Sequence, residues 1–111
     1  MALTVETTLI ALDDGHGLLV GSTDPDTVEF LNDRGLDGNG DTWNGIVDSI
    51  ARLEMPSEHG KLDWSPEADD LLVTSSDPDL LKRLETLVRQ YVGDESMMER
   101  AIENADPEMM D

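Results

Sequence analysis

A nine-residue segment occurs twice in this 111-residue chain, at positions 18–26 and again 53 positions later, at positions 71–79. The two copies read LLVGSTDPD and LLVTSSDPD and differ only at their fourth and sixth residues. In each copy an apolar run typical of a buried strand leads into Ser, Asp and Pro, which are typical of a helix N-terminus. The repeat therefore predicts two similar units, each with a strand that leads directly into a helix.

Each unit is predicted to contain a hairpin followed by two helices. The first unit (residues 1–54) has strand patterns at 4–12 and 18–20 and helix patterns at 25–34 and 43–53. The second unit (residues 55–105) has strand patterns at 62–64 and 71–73 and helix patterns at 78–92 and 94–104. This order predicts one α+β domain over residues 1–105, a mostly antiparallel sheet with helices on one face and a pseudo-twofold repeat. Residues 106–111, which include Met109 and Met110, are expected to form a frayed tail.

The segment that follows the first predicted helix joins a glycine-rich loop to a regular helical pattern. Three glycines occur in residues 35–40, which indicates a backbone that needs positive φ or close approach. Asp41 or Thr42 is expected to cap the next helix, and Asp48 and Ser49 are expected on its solvent-facing side. Apolar residues recur at helical spacing on the other side of this helix: Trp43, Ile46, Val47, Ile50 and Leu53.

Charge restricts the partners that this chain can have. It carries 26 Asp and Glu against 7 Lys and Arg, a formal net charge of −19. Such a charge repels nucleic acid and anionic membranes and attracts basic proteins, although a solvated surface like that of halophilic proteins would explain it equally well. The chain has no Cys, no apolar run long enough to span a membrane and no signal-peptide pattern, so a cytoplasmic location is expected.

Two motifs lie in the glycine-rich loop and in the second predicted hairpin. A GNG motif at residues 38–40 is followed, after two residues, by Trp43. Later, LDWSPEA at residues 62–68 precedes a strand and a long helix. Together these motifs resemble the immunity protein 51 family of bacterial polymorphic toxin systems. The resemblance implies a non-enzymatic, cytoplasmic protein without a cofactor that binds and neutralises a cognate toxin made by the same cell. It does not identify that toxin or give the oligomeric state of the chain.

Four acidic residues beside the two family-like turns are the candidate toxin-binding residues: Asp37, Asp41, Asp69 and Asp70. Asp41 stands where the family often has an aromatic residue, and Asp69 and Asp70 stand where it often has small or apolar residues. The net charge favours a basic, nuclease-type toxin whose active site an acidic surface would occlude. Five residues are expected to be structural anchors of the two turns: Gly38, Asn39, Gly40, Trp43 and Trp64.

A calcium site in the glycine-rich loop is the alternative hypothesis. Oxygen donors occupy positions 1, 3, 5 and 12 of a calcium loop if Asp37, Asn39, Asp41 and Asp48 are counted in register. Thr42 stands where the sharp turn of such a loop needs glycine, so a turn and a helix cap explain the pattern more simply. A calcium-binding or structural acidic module is therefore the alternative to an immunity function.

Catalysis has little support in the sequence. His16 and His59 fall in a predicted turn and a predicted loop, where solvent-exposed positions are expected. There is no Cys, and no Ser lies in a recognisable nucleophile motif. The glycines of the loop are flanked by carboxylates, which would repel a phosphate group. No catalytic residue is therefore assigned.

Overall fold

Strands and helices alternate in pairs along residues 3–110, the part of the chain that the computed structural model describes. The strands are β1 (Glu6–Leu12), β2 (Gly15–Gly21), β3 (Asp63–Pro66) and β4 (Leu71–Ser75). The α-helices are α1 (Pro25–Asn32), α2 (Gly40–Glu54), α3 (Pro78–Val92) and α4 (Glu95–Glu103), with 3₁₀ turns at His59–Lys61 and Pro107–Met110. The strands form one sheet in the order β1-β2-β4-β3, and each neighbouring pair is antiparallel. The α+β class with an antiparallel sheet, predicted from the sequence, is confirmed.

The two faces of the sheet have different surroundings. Helices α2 and α3 pack on the inward face, where four aliphatic side chains of the central strands are fully buried: Leu18, Val20, Leu71 and Val73. Alternate residues of a strand point to opposite faces, so Leu19 and Leu72 lie on the outward face. Both are only half-buried. The described part of the chain places its two sheet-packing helices on the inward face and leaves the outward face open.

Helix α2 is buried on two sides. One side of α2 contacts the sheet. Helix α4 and the C-terminal 3₁₀ turn contact other parts of α2. The expected solvent exposure of Asp48 and Ser49 is wrong, since these residues of α2 are 5 % and 0 % exposed. A single apolar stripe indicates only the contact with the sheet. The second cover comes from α4 and the C-terminal 3₁₀ turn, which lie far along the chain, and helix periodicity does not reveal such contacts.

The C-terminal segment is packed on α2. It was expected to be frayed, but residues Pro107–Met110 form the 3₁₀ turn that contacts this helix. The side chain of Met110 lies over Gly45, where an added Cβ would overlap Met110 Cγ. Gly45 thus provides the space that the methionine occupies. Position 111 lies outside the described residues.

The two units place their repeated segments next to each other in the sheet. Leu19 in β2 is paired with Leu72 in β4, and these are the residues that the repeat equates. The helices differ in length, with 8 and 15 residues in α1 and α2 but 15 and 9 residues in α3 and α4. Among the described residues, no helix is long and apolar enough to cross a membrane. The pseudo-twofold repeat as a whole stays a prediction.

Candidate functional site

The glycine-rich loop before α2 lies directly against the turn that joins β3 to β4. The backbone N–H of Gly40 donates a hydrogen bond to the carbonyl oxygen of Ala68 at 3.4 Å. A Cβ added at Gly40 would overlap the carbonyl oxygen of Glu67 and lie 2.5 Å from that of Asp70. Only glycine permits this approach of two backbones. The loop and the turn, which are separate motifs in the sequence, therefore form one surface.

Asn39 begins the helix that carries this surface. Its side-chain oxygen accepts hydrogen bonds from the backbone N–H of Thr42 at 3.0 Å and from the Thr42 hydroxyl at 3.2 Å. The expectation that Asp41 or Thr42 caps the helix is wrong, because the helix starts at Gly40. Gly38 has a φ of +76° and donates its N–H to the Thr42 hydroxyl at 3.1 Å. Each residue of the GNG motif thus has its own structural role.

The four candidate acids lie on or beside this joined surface, and we call them the acidic rim: Asp37, Asp41, Asp69 and Asp70. Asp41 directly follows Gly40, and Asp69 and Asp70 belong to the turn against which Gly40 packs. Asp37 is exposed and lies three residues before Gly40 in the same loop. The Asp70 carboxylate lies over Gly21 of β2, where an added Cβ would overlap it. The rim therefore continues onto the outward face of the sheet.

The two tryptophans are placed differently. Trp43 is fully buried in the core, and its indole N–H has no hydrogen-bond partner among residues 3–110. Trp64 on β3 is half-buried, and its ring centroid lies 5.8 Å from that of His59. Trp43 thus belongs to the core beneath the loop, whereas Trp64 lies closer to the surface beside a histidine.

A buried carboxylate lies further along α2. Asp48 accepts a hydrogen bond from Arg52 Nε at 2.8 Å, and its other oxygen lies 2.5 Å from His59 Nε2. His59 is half-buried between Asp48 and Trp64, so the expectation that it is solvent-exposed is wrong. His16 is half-buried as well. Asp48 therefore ties the 3₁₀ turn after α2 to this helix.

The residues of the calcium hypothesis are not gathered into one site. Asn39 uses its side-chain oxygen to cap α2, and Asp48 is engaged by Arg52 and His59. Within residues 3–110, no group of three or more His, Asp or Glu side chains is arranged so that it could hold a metal ion. The described geometry thus favours a turn and a helix cap over a calcium loop.

The acidic rim is free of internal ion pairs within the described part of the chain. The ion pairs there join Arg34 to Glu99, Arg52 and His59 to Asp48, and Arg83 to Glu58. The rim carboxylates contribute to none of them. Within residues 3–110, their charges are therefore not neutralised by an ion pair.

Residues 8–107 of the chain match the model of a family described as Immunity protein 51. The matched region contains the GNG loop, the turn between β3 and β4 and all four residues of the acidic rim. No curated protein and no solved structure matches the chain.

Proposed function

The chain belongs to the immunity protein 51 family, and from this premise we propose that it neutralises a basic, nuclease-type toxin by covering the toxin's active site with the acidic rim. Family membership supports the immunity role and a cognate toxin as partner. The class of toxin, the occlusion of its active site and the residues that make the contact are the further steps proposed here. The inhibitor acts by binding and not by catalysis.

The observation that carries this proposal is the backbone contact between Gly40 and the turn at residues 67–70. It holds Asp41 beside Asp69 and Asp70 on a buried helix and a strand hairpin, so these backbones are already ordered before binding. A surface that is ordered in advance loses less conformational entropy when a partner binds. The rim thus has the properties expected of an interface that binds tightly.

Charge supports a basic partner. Proteins that bind nucleic acid hold its phosphates with Lys and Arg. Carboxylates can form charge-assisted hydrogen bonds with those side chains and so occupy the site of the phosphate. A net charge of −19 on this chain would also increase the rate of encounter with a cationic toxin. A nuclease-type domain is therefore the toxin class that best complements the chain.

The test uses the C-terminal domain encoded by the open reading frame next to the gene for this chain. The double variant Asp69→Lys with Asp70→Lys is compared with wild type by surface plasmon resonance at several salt concentrations. We expect the association rate constant to fall about tenfold or more at low salt, with a smaller difference at high salt. Co-expression with the toxin should show a matching loss of protection.

A matched control has the same change of net charge away from the rim. Glu95→Lys with Glu103→Lys alters two exposed residues of α4 and should leave association closer to wild type. Equal effects of the two double variants on association would show that only total charge matters. That result would contradict the proposal that the acidic rim contacts the toxin. If the chain does not bind the neighbouring domain and needs molar salt to fold, the acidic surface serves solvation instead.

A further inference from the structure

The outward face of the sheet carries apolar side chains that we call the open-face strip: Ile10, Leu12, Leu19 and Leu72. Leu19 and Leu72 are paired across the two central strands, and Leu12 is 40 % exposed. The side chains of Ile10 and Leu72 approach each other over Gly17, where an added Cβ would lie 3.0 Å from both. The strip is therefore continuous from β1 across β2 to β4. Within the described residues, the sheet-packing helices lie on the other face.

Grooves lined by acids adjoin the strip at two places. The smaller groove, of about 90 Å³, includes Leu19 of the strip together with Glu6 and Asp70. The larger groove, of about 470 Å³, includes Leu12 of the strip. Its polar lining contains three carboxylates, His16, Lys61 and hydroxyl groups; the carboxylates belong to Asp13, Asp14 and Asp63. Each groove thus joins an apolar residue of the strip to carboxylates.

Among residues 3–110, the strands carry no Lys or Arg. Lys61, in the 3₁₀ turn, is part of the lining of the larger groove. The remaining six cations lie in α-helices or within two residues of a helix end: Arg34, Arg52, Lys82, Arg83, Arg89 and Arg100. The positive charges of the chain are therefore concentrated in its helices, while the open face combines apolar contact area with carboxylates. Its complement is an apolar patch flanked by basic side chains.

We propose that the open face of the sheet is the main docking surface for the toxin, with basic side chains of the toxin in the two grooves and an apolar patch of the toxin on the open-face strip. This inference rests on the proposed immunity function and extends it. Asp70 belongs both to the acidic rim and to the smaller groove, so the rim is one margin of a larger interface. A second copy of the chain does not fit, because two faces lined by carboxylates would repel each other.

The two parts of the surface affect different rate constants. Exposed charges act over a distance of about a Debye length and mainly change association, whereas desolvated apolar anchors mainly change dissociation. A toxin bound only by the acidic rim would depend little on Leu19 and Leu72. A toxin bound across the open face would dissociate faster when these side chains are shortened. The strip can therefore be tested separately from the charges.

The test measures binding of the neighbouring gene's toxin domain to the double variant Leu19→Thr with Leu72→Thr. Threonine keeps the strand preference and removes apolar area from the outward face. We expect the dissociation rate constant to rise about tenfold or more, while the association rate constant changes less than about threefold. The control Leu87→Thr shortens a half-buried leucine of α3 on the helical side and should leave both rate constants near wild type.

A second variant keeps the inference testable if the double variant does not fold. Thr8→Arg adds a cation at an exposed position of β1, opposite Leu19, without removing core atoms, and should weaken binding about tenfold or more. If the wild-type chain binds the toxin domain and neither open-face variant weakens this binding, the inference is overturned. The proposed immunity function would still stand. If the wild-type chain fails to bind the domain, both proposals are overturned.

Discussion

The two units of the chain begin their helices in the same way and then diverge. Ser22 and Ser75 each accept a hydrogen bond from the backbone N–H two residues later, both at 3.2 Å. Asp24 and Asp77 then cap α1 and α3 with side-chain oxygens. Helix α1 nevertheless ends after 8 residues with three of them buried, whereas α3 has 15 residues with six buried. Shared capping residues determine where a helix starts, and the residues that follow determine how much of it packs.

Each unit contributes one helix of 15 residues to the inward face of the sheet. In the first unit this is the second helix, α2, and in the second unit it is the first helix, α3. The shorter α4 packs against both of these helices. The units thus reach similar cover of the sheet through different helices, so equivalent positions need not have equivalent roles.

The largest expected difference is between Leu81 and Val28, which the 53-residue offset equates. Leu81 of α3 is fully buried, whereas Val28 of α1 is only half-buried. Leu81→Ala should lower the free energy of unfolding by about 2–5 kcal/mol, because it leaves a cavity in the core. Val28→Ala should lower the free energy of unfolding by about 1 kcal/mol or less, because the methyl groups of Val28 are less buried. Urea unfolding measures both, and equal losses would show that α1 supports the fold as much as α3 does.

The next prediction compares Gly40 with Gly93, which the same offset equates. Gly40→Ala should lower the free energy of unfolding by about 1–3 kcal/mol, because the new Cβ meets the backbone of the turn at residues 67–70. Gly93 has a φ of −71°, and an added Cβ there would lie 3.2 Å from the Arg89 carbonyl oxygen. This contact is tight, but it lies within one helical turn and not against a distant segment, and alanine is allowed at this φ, so Gly93→Ala should change stability by about 1 kcal/mol or less. The midpoints and slopes of urea unfolding curves give both values. A Gly40→Ala variant as stable as wild type would argue against a rigid joint between loop and turn.

Local signals made parts of this fold predictable from the sequence. The bounds of α3, Pro78–Val92, agree with the prediction, because Asp77 with Pro78 marks its start and Gly93 marks its end. The hairpins could be identified from alternating strands and turn residues, although β2 proved longer than residues 18–20. These features depend on residues that are close together in the chain.

Contacts between distant residues were the part that the sequence did not reveal. Asn39, Asp41 and Thr42 are all acceptable caps by residue type, and in the structure Asn39 is the cap, directly before the contact of Gly40 with the β3–β4 turn. Asp48 is engaged by His59 of the following turn, and the tail packs on α2 where Gly45 leaves space for Met110. The candidate rim could be named because both family-like turns are acidic. The apolar strip beside it became visible only when the strand pairing was known.

The smallest predicted effect concerns the hydrogen bond that joins the long helices of the two units. The fully buried Tyr91 of α3 donates its hydroxyl to Glu54 Oε1 of α2 at 2.6 Å. Burial first, and then the Glu54 carboxylate, raise the pKa of Tyr91 to about 12, compared with about 10 for tyrosine in an unfolded chain. Between pH 10 and about pH 12, the Tyr91 hydroxyl therefore keeps its proton in the folded protein and has lost it in the unfolded chain. The stabilisation is complete below about pH 10 and is lost as the pH rises through about 12.

Tyr91→Phe removes this hydrogen bond, and water can hydrogen-bond to the accessible Glu54 carboxylate in its place. The free energy of unfolding at pH 8 should therefore fall by about 1 kcal/mol. Urea unfolding at pH 8, 10 and 11 should show that the difference between wild type and variant becomes smaller as the pH rises. Tyr91 is the only tyrosine in the chain, so the ultraviolet absorbance of phenolate reports its ionisation directly. A difference that stays constant with pH, or an absorbance change centred near pH 10, would show that α2 and α3 are joined by apolar packing alone.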